Sequence, residues 1–150
     1  MFAFLASYVP VSAAGPATVP AQGNKAEDAD SKQLQGNWKV VSMNYNGQDK
    51  TADLKDRPIS WRIEGRKLFV SVGDRRIDSD FALDASKTPK RITVTGMQGN
   101  EKVTNISIYE LHGSTLRMAF FMDKTRIQKD MPKSFEPGEA IGVTTLERGK

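Results

Sequence analysis

Cysteine, histidine and long apolar runs are absent or scarce in this sequence. None of the 150 residues is a cysteine, which excludes disulfides, cysteine nucleophiles, thiolate zinc sites and iron–sulfur clusters. The single histidine, His112, cannot build a multi-histidine metal site within one chain. No apolar run is long enough for a membrane-spanning helix, which needs about 20 residues. The sequence therefore predicts no cofactor and no transmembrane span, and the fold must be held together by its hydrophobic core.

The residues that are present suit one globular domain. A length of 150 residues favours a single domain, and 38% hydrophobic residues can supply its core. The net charge of +4 and the pI near 9.4 are compatible with an anionic partner. However, the charges are dispersed, and Trp61 shares its side of the chain with Ile59 and Ile63 rather than with arginines. Nucleic acid is therefore an unfavoured partner, because single-strand binding needs exposed aromatic and basic residues together.

The first 30 residues are predicted to lie outside the fold. An apolar run over residues 1–9 is followed by the small residues of 12–14, which is typical of a cleaved secretory signal, although no basic residue precedes the run. Residues 15–30 contain two prolines, two glycines and three acids, and they predict a flexible linker. We therefore expect a signal peptide over 1–14, a domain over 31–150, and export to the periplasm or the medium. The alternative is a frayed apolar tail on a cytoplasmic protein.

Apolar and polar residues alternate with a period of two through most of the remaining chain. Asn46-Gly47 is a strong turn signal, and a short helix is expected around residues 52–56 before Pro58. Glycine-containing turns separate most of the other alternating segments. This pattern predicts eight strands, over residues 36–45, 59–64, 68–72, 76–83, 92–95, 103–111, 116–122 and 140–148.

Short connections between alternating strands indicate an antiparallel sheet with one buried face. Eight strands in a row would leave two exposed edges unless the sheet closes on itself. We therefore predict an all-β, eight-stranded antiparallel up-and-down barrel rather than a sandwich. The interior of such a barrel can be filled by side chains or can hold one small ligand.

Residues at the start of the first predicted strand and at the end of the last resemble a known class of barrels. Gly36-Asn37-Trp38 opens the first strand, and Arg148 stands at the end of the last. The chain thereby resembles lipocalin-like barrels, in which such a tryptophan plugs the closed end beneath a basic residue of the final strand. A guanidinium over an indole gains cation–π attraction and shields the ring from water. The resemblance implies that Gly36, Trp38 and Arg148 form a structural plug.

A wider set of segments is similar to one group within that class. The chain resembles the small lipocalin-like domains that are abundant in planctomycete bacteria, over about residues 31–148. Met131 departs from the pattern, since an arginine is expected before the proline there. The resemblance implies the barrel fold and an exported compartment, and it adds no catalytic residue. The segments that carry it are LQGNWKVVS at 34–42, FALD at 81–84, TPK at 88–90, IYEL at 108–111, TLR at 115–117 with Gly113, and Pro132, Phe135 and Pro137-Gly138.

Inward-facing aromatic and methionine side chains are the candidates for contacting a ligand. Their other interpretation is simple core packing. The hydroxyl of a buried Tyr109 would need a hydrogen-bond partner. The predicted barrel-lining contacts are Trp61, Phe81, Tyr109, Met118 and Phe120.

These features lead to one expected function and two rivals. We expect a non-catalytic, exported barrel that binds a small apolar or amphipathic molecule. The first rival is a solid barrel that serves as a protein-interaction module. An enzyme, the second rival, would need a carboxylate inside the barrel, and both Glu110 and Asp80 alternate outward. The outward side chains that a protein-interaction module would use are Met43, Tyr45, Phe69 and Phe121.

Overall fold

Strands dominate the computed structural model, which describes residues 25–123 and 130–149. The predicted signal peptide and residues 15–24 of the predicted linker lie outside the described residues. The helices are α1, Lys25–Leu34, and a 3-10 helix, Thr51–Lys55. The strands are β1 Gly36–Tyr45, β2 Gln48–Asp49, β3 Ile59–Glu64, β4 Lys67–Val72, β5 Arg75–Asp84, β6 Lys90–Gln98, β7 Glu101–His112, β8 Thr115–Phe121 and β9 Ile141–Arg148.

The sheet closes into the predicted eight-stranded up-and-down barrel. From β3 to β9 each strand pairs antiparallel with the next, and β3 also pairs with β1. The seam is made by β9 and β1, which run antiparallel from Gly142 opposite Tyr45 to Arg148 opposite Trp38. The two-residue β2 adds a hairpin to β1 at the Asn46-Gly47 turn, where both residues have positive φ. The prediction of an all-β closed barrel is therefore confirmed.

Helix α1 lies across one end of the barrel and begins earlier than the sequence analysis placed the domain. The expected linker ended at Asp30, but residues 25–30 are helical and Asp30 is only 7% exposed. The segment between Asn24 and Gly36 contains no glycine or proline, and its alanine, lysine, glutamate and leucine residues favour a helix. The predicted boundary at Ser31 therefore falls inside α1, and the folded domain includes at least Lys25.

The two ends of the barrel differ, and we name them by that difference. The closed end is the one covered by α1, where β1 begins at Gly36. The mouth is the opposite end, where β1 finishes at Tyr45. One cluster of buried side chains fills the barrel between them. Its members are Leu34, Trp38, Val40, Met43, Ile63, Leu68, Phe81, Ile92, Tyr109, Leu116, Met118 and Leu146.

A β-bulge in β1 changes which side chains face inward. Leu146 pairs with Val40 and Thr145 with Ser42, so Val41 is an extra residue with no partner in β9. An extra residue shifts the alternation by one position, which turns the following side chains to the other face. Met43 is consequently buried in the core, and Tyr45 packs against it. The prediction that these two side chains point outward is wrong for this reason.

The outer wall also has a buried cluster. Ile108, Ala119 and Val143 face outward from three adjacent strands and are covered by Met131 and Phe135 from the connection between β8 and β9.

Two side chains expected to be exposed on the outer surface, Phe121 and Phe69, are partly or fully buried. Phe121 is buried, with 6% of its surface exposed, so its expected role as an exposed docking side chain is wrong. Phe69 is half-buried, and the Arg76 guanidinium carbon lies 4.3 Å from its ring centroid.

Candidate functional site

The inner wall at the mouth is apolar and incompletely covered. Ile59, Val70 and Val94 face inward but are only half-buried, unlike closed-end residues such as Leu116 and Leu146. Ile77, also on an inward position of β5, keeps 49% of its surface exposed. Such a surface can be covered by an apolar ligand, because removing it from water is favourable.

Small and polar residues interrupt this apolar wall on three neighbouring strands. Ser79, Gly96 and Asn105 come from β5, β6 and β7 and line a pocket of about 140 Å³ together with Ile77 and Val94. A Cβ atom on Gly96 would lie 2.7 Å from the Ser79 hydroxyl oxygen, so the glycine makes room for that serine. The wall can therefore offer both apolar contacts and hydrogen-bonding groups to one molecule.

A second pocket of about 460 Å³ opens at the mouth beside the 3-10 helix. Its apolar side is formed by Tyr45, Ile59 and Val72, and Asp53, Asp56 and Arg57 stand on its other side. This pocket exists because only the first four residues of β1 pair with β3, while the end of β1 pairs with the short β2. The mouth therefore combines an apolar wall with a charged margin.

An aromatic pair flanks the mouth at the seam. The rings of Tyr45 and Phe120 meet edge to face, with 6.2 Å between their centroids. Gly142 lies opposite both residues, and a Cβ on it would come within 2.7 Å of the Phe120 ring. The absence of a side chain at Gly142 thus allows the two rings to lie over the seam.

The predicted ligand contacts occupy two different depths. Phe120 lies at the mouth and is half-buried, and Trp61 is half-buried against the core. Phe81, Tyr109 and Met118 face inward as well, but they are buried in the core cluster. Sequence reasoning did not single out Ile77, Gly96 and Asn105, because alternation identifies the inward face of a strand but not the height of a residue in the barrel.

The closed end is built around Trp38, which is 1% exposed. Its indole N–H donates to the Leu34 carbonyl at 2.7 Å, and the Arg148 guanidinium carbon lies 4.4 Å from the ring centroid. Arg148 also donates to the carbonyls of Gln33 and Gln35. Carbonyls at a helix C-terminus lack partners within the helix, and a cation there is favoured by the helix dipole. Trp38 and Arg148 therefore cap α1 and fasten it to the barrel.

Gly36 is the third residue of this plug, and its backbone explains why a glycine stands there. Its φ of +111° is in a region that residues with a side chain rarely adopt. A Cβ on Gly36 would also lie 3.3 Å from Nη1 of Arg148. Both the turn from α1 into β1 and the approach of the guanidinium thus favour glycine.

A buried carboxylate forms a second link between α1 and the barrel. Oδ2 of Asp30 accepts a hydrogen bond from the Tyr109 hydroxyl at 2.7 Å and from the Lys90 ammonium at 2.8 Å. The Asp30 side chain is 10% exposed, so its charge is compensated mainly by Lys90. The expectation that a buried Tyr109 hydroxyl needs a partner is confirmed, and the partner comes from the segment that was interpreted as a linker.

The carboxylates considered for catalysis stand on the outer wall. Asp80 pairs with Lys67 at 2.6 Å, and Glu110 pairs with Arg117 at 3.4 Å. His112 is the exposed last residue of β7, and its Nε2 lies 3.6 Å from the Glu110 carboxylate. Within residues 25–123 and 130–149, no three acidic or histidine side chains are grouped so that they could hold a metal ion.

The pKa of one carboxylate at the closed end, that of Asp84, is lowered. The Ser86 hydroxyl donates to Asp84 at 2.5 Å, and this hydrogen bond lowers the pKa of Asp84 below its ordinary value of 3.8. The nearby charges of Lys87 and Arg91 act in the same direction. This carboxylate is partnered by its own turn rather than directed at a reacting group.

Comparison with known proteins gives no relative. No family model, no curated protein and no solved structure matches the chain at a significant level. Neither α1 nor the 3-10 helix of the described segments has the length and hydropathy needed to cross a membrane. The resemblance to planctomycete lipocalin-like domains therefore stays a prediction from the sequence.

Proposed function

We propose that this protein is a non-catalytic barrel that binds a small apolar or amphipathic molecule at its mouth. The observation that carries the proposal is the inner wall there, where Ile59, Val72 and Ile77 face inward without being fully covered. At the closed end, by contrast, inward side chains such as Leu116 and Leu146 are completely buried. The folded barrel leaves part of this apolar wall in contact with water. A ligand that covers it would be stabilised by about 25 cal/mol for each Å² of apolar surface removed from water.

The polar residues of the wall favour an amphipathic ligand over a pure hydrocarbon. Ser79 and Asn105 line the small mouth pocket, and the hydroxyl of Ser107, the next inward residue of β7, donates to the side-chain amide oxygen of Asn105 at 3.3 Å. The Asn105 amide group can therefore direct its donors toward a ligand. Ligand sites commonly combine an apolar lining with a few such polar groups.

The remaining parts of the proposal rest on chemistry and on the sequence. The outer-wall carboxylates Asp78, Asp80 and Glu110 each have a basic neighbour, and the mouth wall offers amide and hydroxyl groups rather than a base. This favours binding without transformation. Export is proposed from the apolar and small residues of 1–14. Membership of the planctomycete lipocalin-like group is proposed from the segments that resemble it.

Fluorescence titration with the neutral probe N-phenylnaphthylamine tests ligand binding at the mouth. We expect saturable binding to the full chain, and we expect Ile77→Glu to weaken it about tenfold, since a charge would face the apolar probe. Ile106→Glu is the matched control, because Ile106 alternates outward on β7 and is half-buried like the mouth residues. Circular dichroism of both variants checks that the barrel is retained.

The outcomes of this titration are distinct. Saturable binding that is weakened by Ile77→Glu and unaffected by Ile106→Glu supports the proposal. Absence of binding to the full chain, or equal loss in the two variants, rejects the mouth as the site.

A protein-interaction module is the second candidate, and one observation favours it. The closed half of the barrel is filled by the core, while Met97 at the mouth keeps 58% of its surface exposed. Exposed apolar side chains of this size can mark a contact surface. A barrel that takes up no neutral probe would make Met97 and its neighbour Ile77 the first residues to test for binding of a protein partner.

A further inference from the structure

A cleft outside the barrel, at its closed end, has features that the mouth lacks. It encloses about 620 Å³ between the β5–β6 connection, the last residues of β7 and the β8–β9 connection. Among the described residues, its lining includes Lys87, Lys90 and Lys133 but only one carboxylate, that of Glu110. Pro89 and Phe135 contribute apolar surface to the same cleft.

The charges of the cleft can be balanced pair by pair. Lys90 is neutralised by Asp30 at 2.8 Å, and Glu110 is neutralised by Arg117 at 3.4 Å. Lys87 and Lys133 remain, and within the described part of the chain neither forms an ion pair. The field of Lys87 does reach Asp84, whose pKa is lowered first by Ser86 and also by this lysine. Among the described residues, the cleft therefore keeps two lysines that form no ion pair with a carboxylate.

The wall that carries Lys133 is held firmly against the barrel. The Arg117 guanidinium donates to the Phe135 carbonyl at 3.1 Å, and its carbon lies 5.2 Å from the Phe135 ring centroid. Pro132 is buried, and Met131 packs on the cluster of the outer wall. A lysine between two anchored residues can meet a ligand with little reorganisation of the backbone.

From this arrangement we propose that the cleft is a second binding site, for a small organic anion with an apolar body. Lys87 and Lys133 bind the anionic group, and Phe135 with Pro89 contacts the apolar part. His112 lines the cleft as well, and beside it stands the Glu110 carboxylate, which would repel an anion. The site is separate from the mouth and does not depend on the function proposed for the mouth.

Two probes that differ only in charge test this proposal. Anilinonaphthalene sulfonate has the body of N-phenylnaphthylamine with a sulfonate added. In amide chemical-shift mapping of the full chain, we expect the sulfonate probe to shift the cleft amides of Lys87, His112 and Phe135, and the neutral probe to leave them unchanged. Shifts confined to mouth amides such as those of Ile77 and Gly96 with both probes would overturn the proposal.

Charge removal gives the quantitative arm of the experiment. We expect Lys87→Gln/Lys133→Gln to weaken the binding of the sulfonate probe about fivefold at low salt, the scale of two exposed charge contacts. Lys39→Gln/Lys55→Gln removes the same charge from exposed lysines outside the cleft and should leave the affinity within about twofold. Equal weakening by both double variants, or no change in the cleft variant, would show that no specific anion site exists there.

Discussion

The two ends of the barrel are made from the same strands, but they differ in how deeply their side chains are buried. At the closed end, Trp38 and Tyr109 are each 1% exposed, and their polar atoms bond to α1. At the mouth, Ile77 and Met97 remain 49% and 58% exposed. The helix accounts for the difference, because it covers one end and supplies partners for its polar groups. The closed end is therefore the more deeply packed part of the barrel, and the mouth, where we propose that a ligand binds, is the less covered part.

The largest effect should come from removing the plug. Trp38→Ala deletes a fully buried ring together with its bond to the Leu34 carbonyl, and we expect a loss of about 3–5 kcal/mol in unfolding free energy. Tyr45→Ala, its counterpart at the mouth, removes a half-buried ring and should cost about 1–2 kcal/mol. Urea unfolding measures both, and a greater loss for Tyr45→Ala would break the proposed division between the ends.

An intermediate effect is expected from the buried carboxylate of α1. Asp30→Ala leaves the Tyr109 hydroxyl and the Lys90 ammonium without their common acceptor, which should cost about 2–3 kcal/mol. Asp78→Ala is the control, since Asp78 forms an exposed pair with Arg76 and should change stability by less than about 0.5 kcal/mol. Similar unfolding midpoints for the two variants would mean that the Asp30 link does not hold the helix in place.

The smallest effect concerns the pH dependence of the closed-end turn. Because the Ser86 hydrogen bond lowers the pKa of Asp84, the stabilisation from this carboxylate is present above its ordinary pKa of 3.8 and is lost as the pH falls through the lowered value. Asp84→Asn should therefore be less stable than the parent near neutral pH, by under about 0.5 kcal/mol in this exposed turn, with the difference vanishing in acid. Urea midpoints at several pH values would reveal it, and a difference that grows in acid would contradict the assignment.

The fold was predictable because apolar and polar residues alternate along nearly every strand. Eight segments with inward stripes, such as Leu68, Val70 and Val72, are long enough to fix the strands, and the cost of open edges requires closure. The bulge at Val41 was not predictable, since one extra residue in an apolar run leaves no trace in composition. It moved Met43 and Tyr45 from the expected outer wall to the interior.

The candidate sites were less predictable than the fold, for two physical reasons. Depth within a barrel depends on strand stagger and on what covers each end, so Phe81 and Ile77 look alike in sequence although their exposures are 6% and 49%. The cleft proposed to bind an anion is lined by two connections that are far apart in sequence, with Lys87 in one and Lys133 in the other. Helix α1 could have been predicted from its run of helix-favouring residues without glycine or proline. Its acidic residues instead led to its first part being interpreted as a linker.

The seam between β1 and β9 has a consequence for how the chain folds. Arg148 donates to the Gln35 carbonyl across 113 positions of sequence, whereas every other barrel pairing joins nearby strands. Contacts between distant segments form slowly, because a long loop must be closed before they can be made. The meander should therefore assemble first as a curved ribbon with two bare edges, and the ring should be completed late. Indole fluorescence of a Trp61→Phe variant, which retains Trp38 as its one tryptophan, would time that final step, because Arg148 covers Trp38 only when β9 docks.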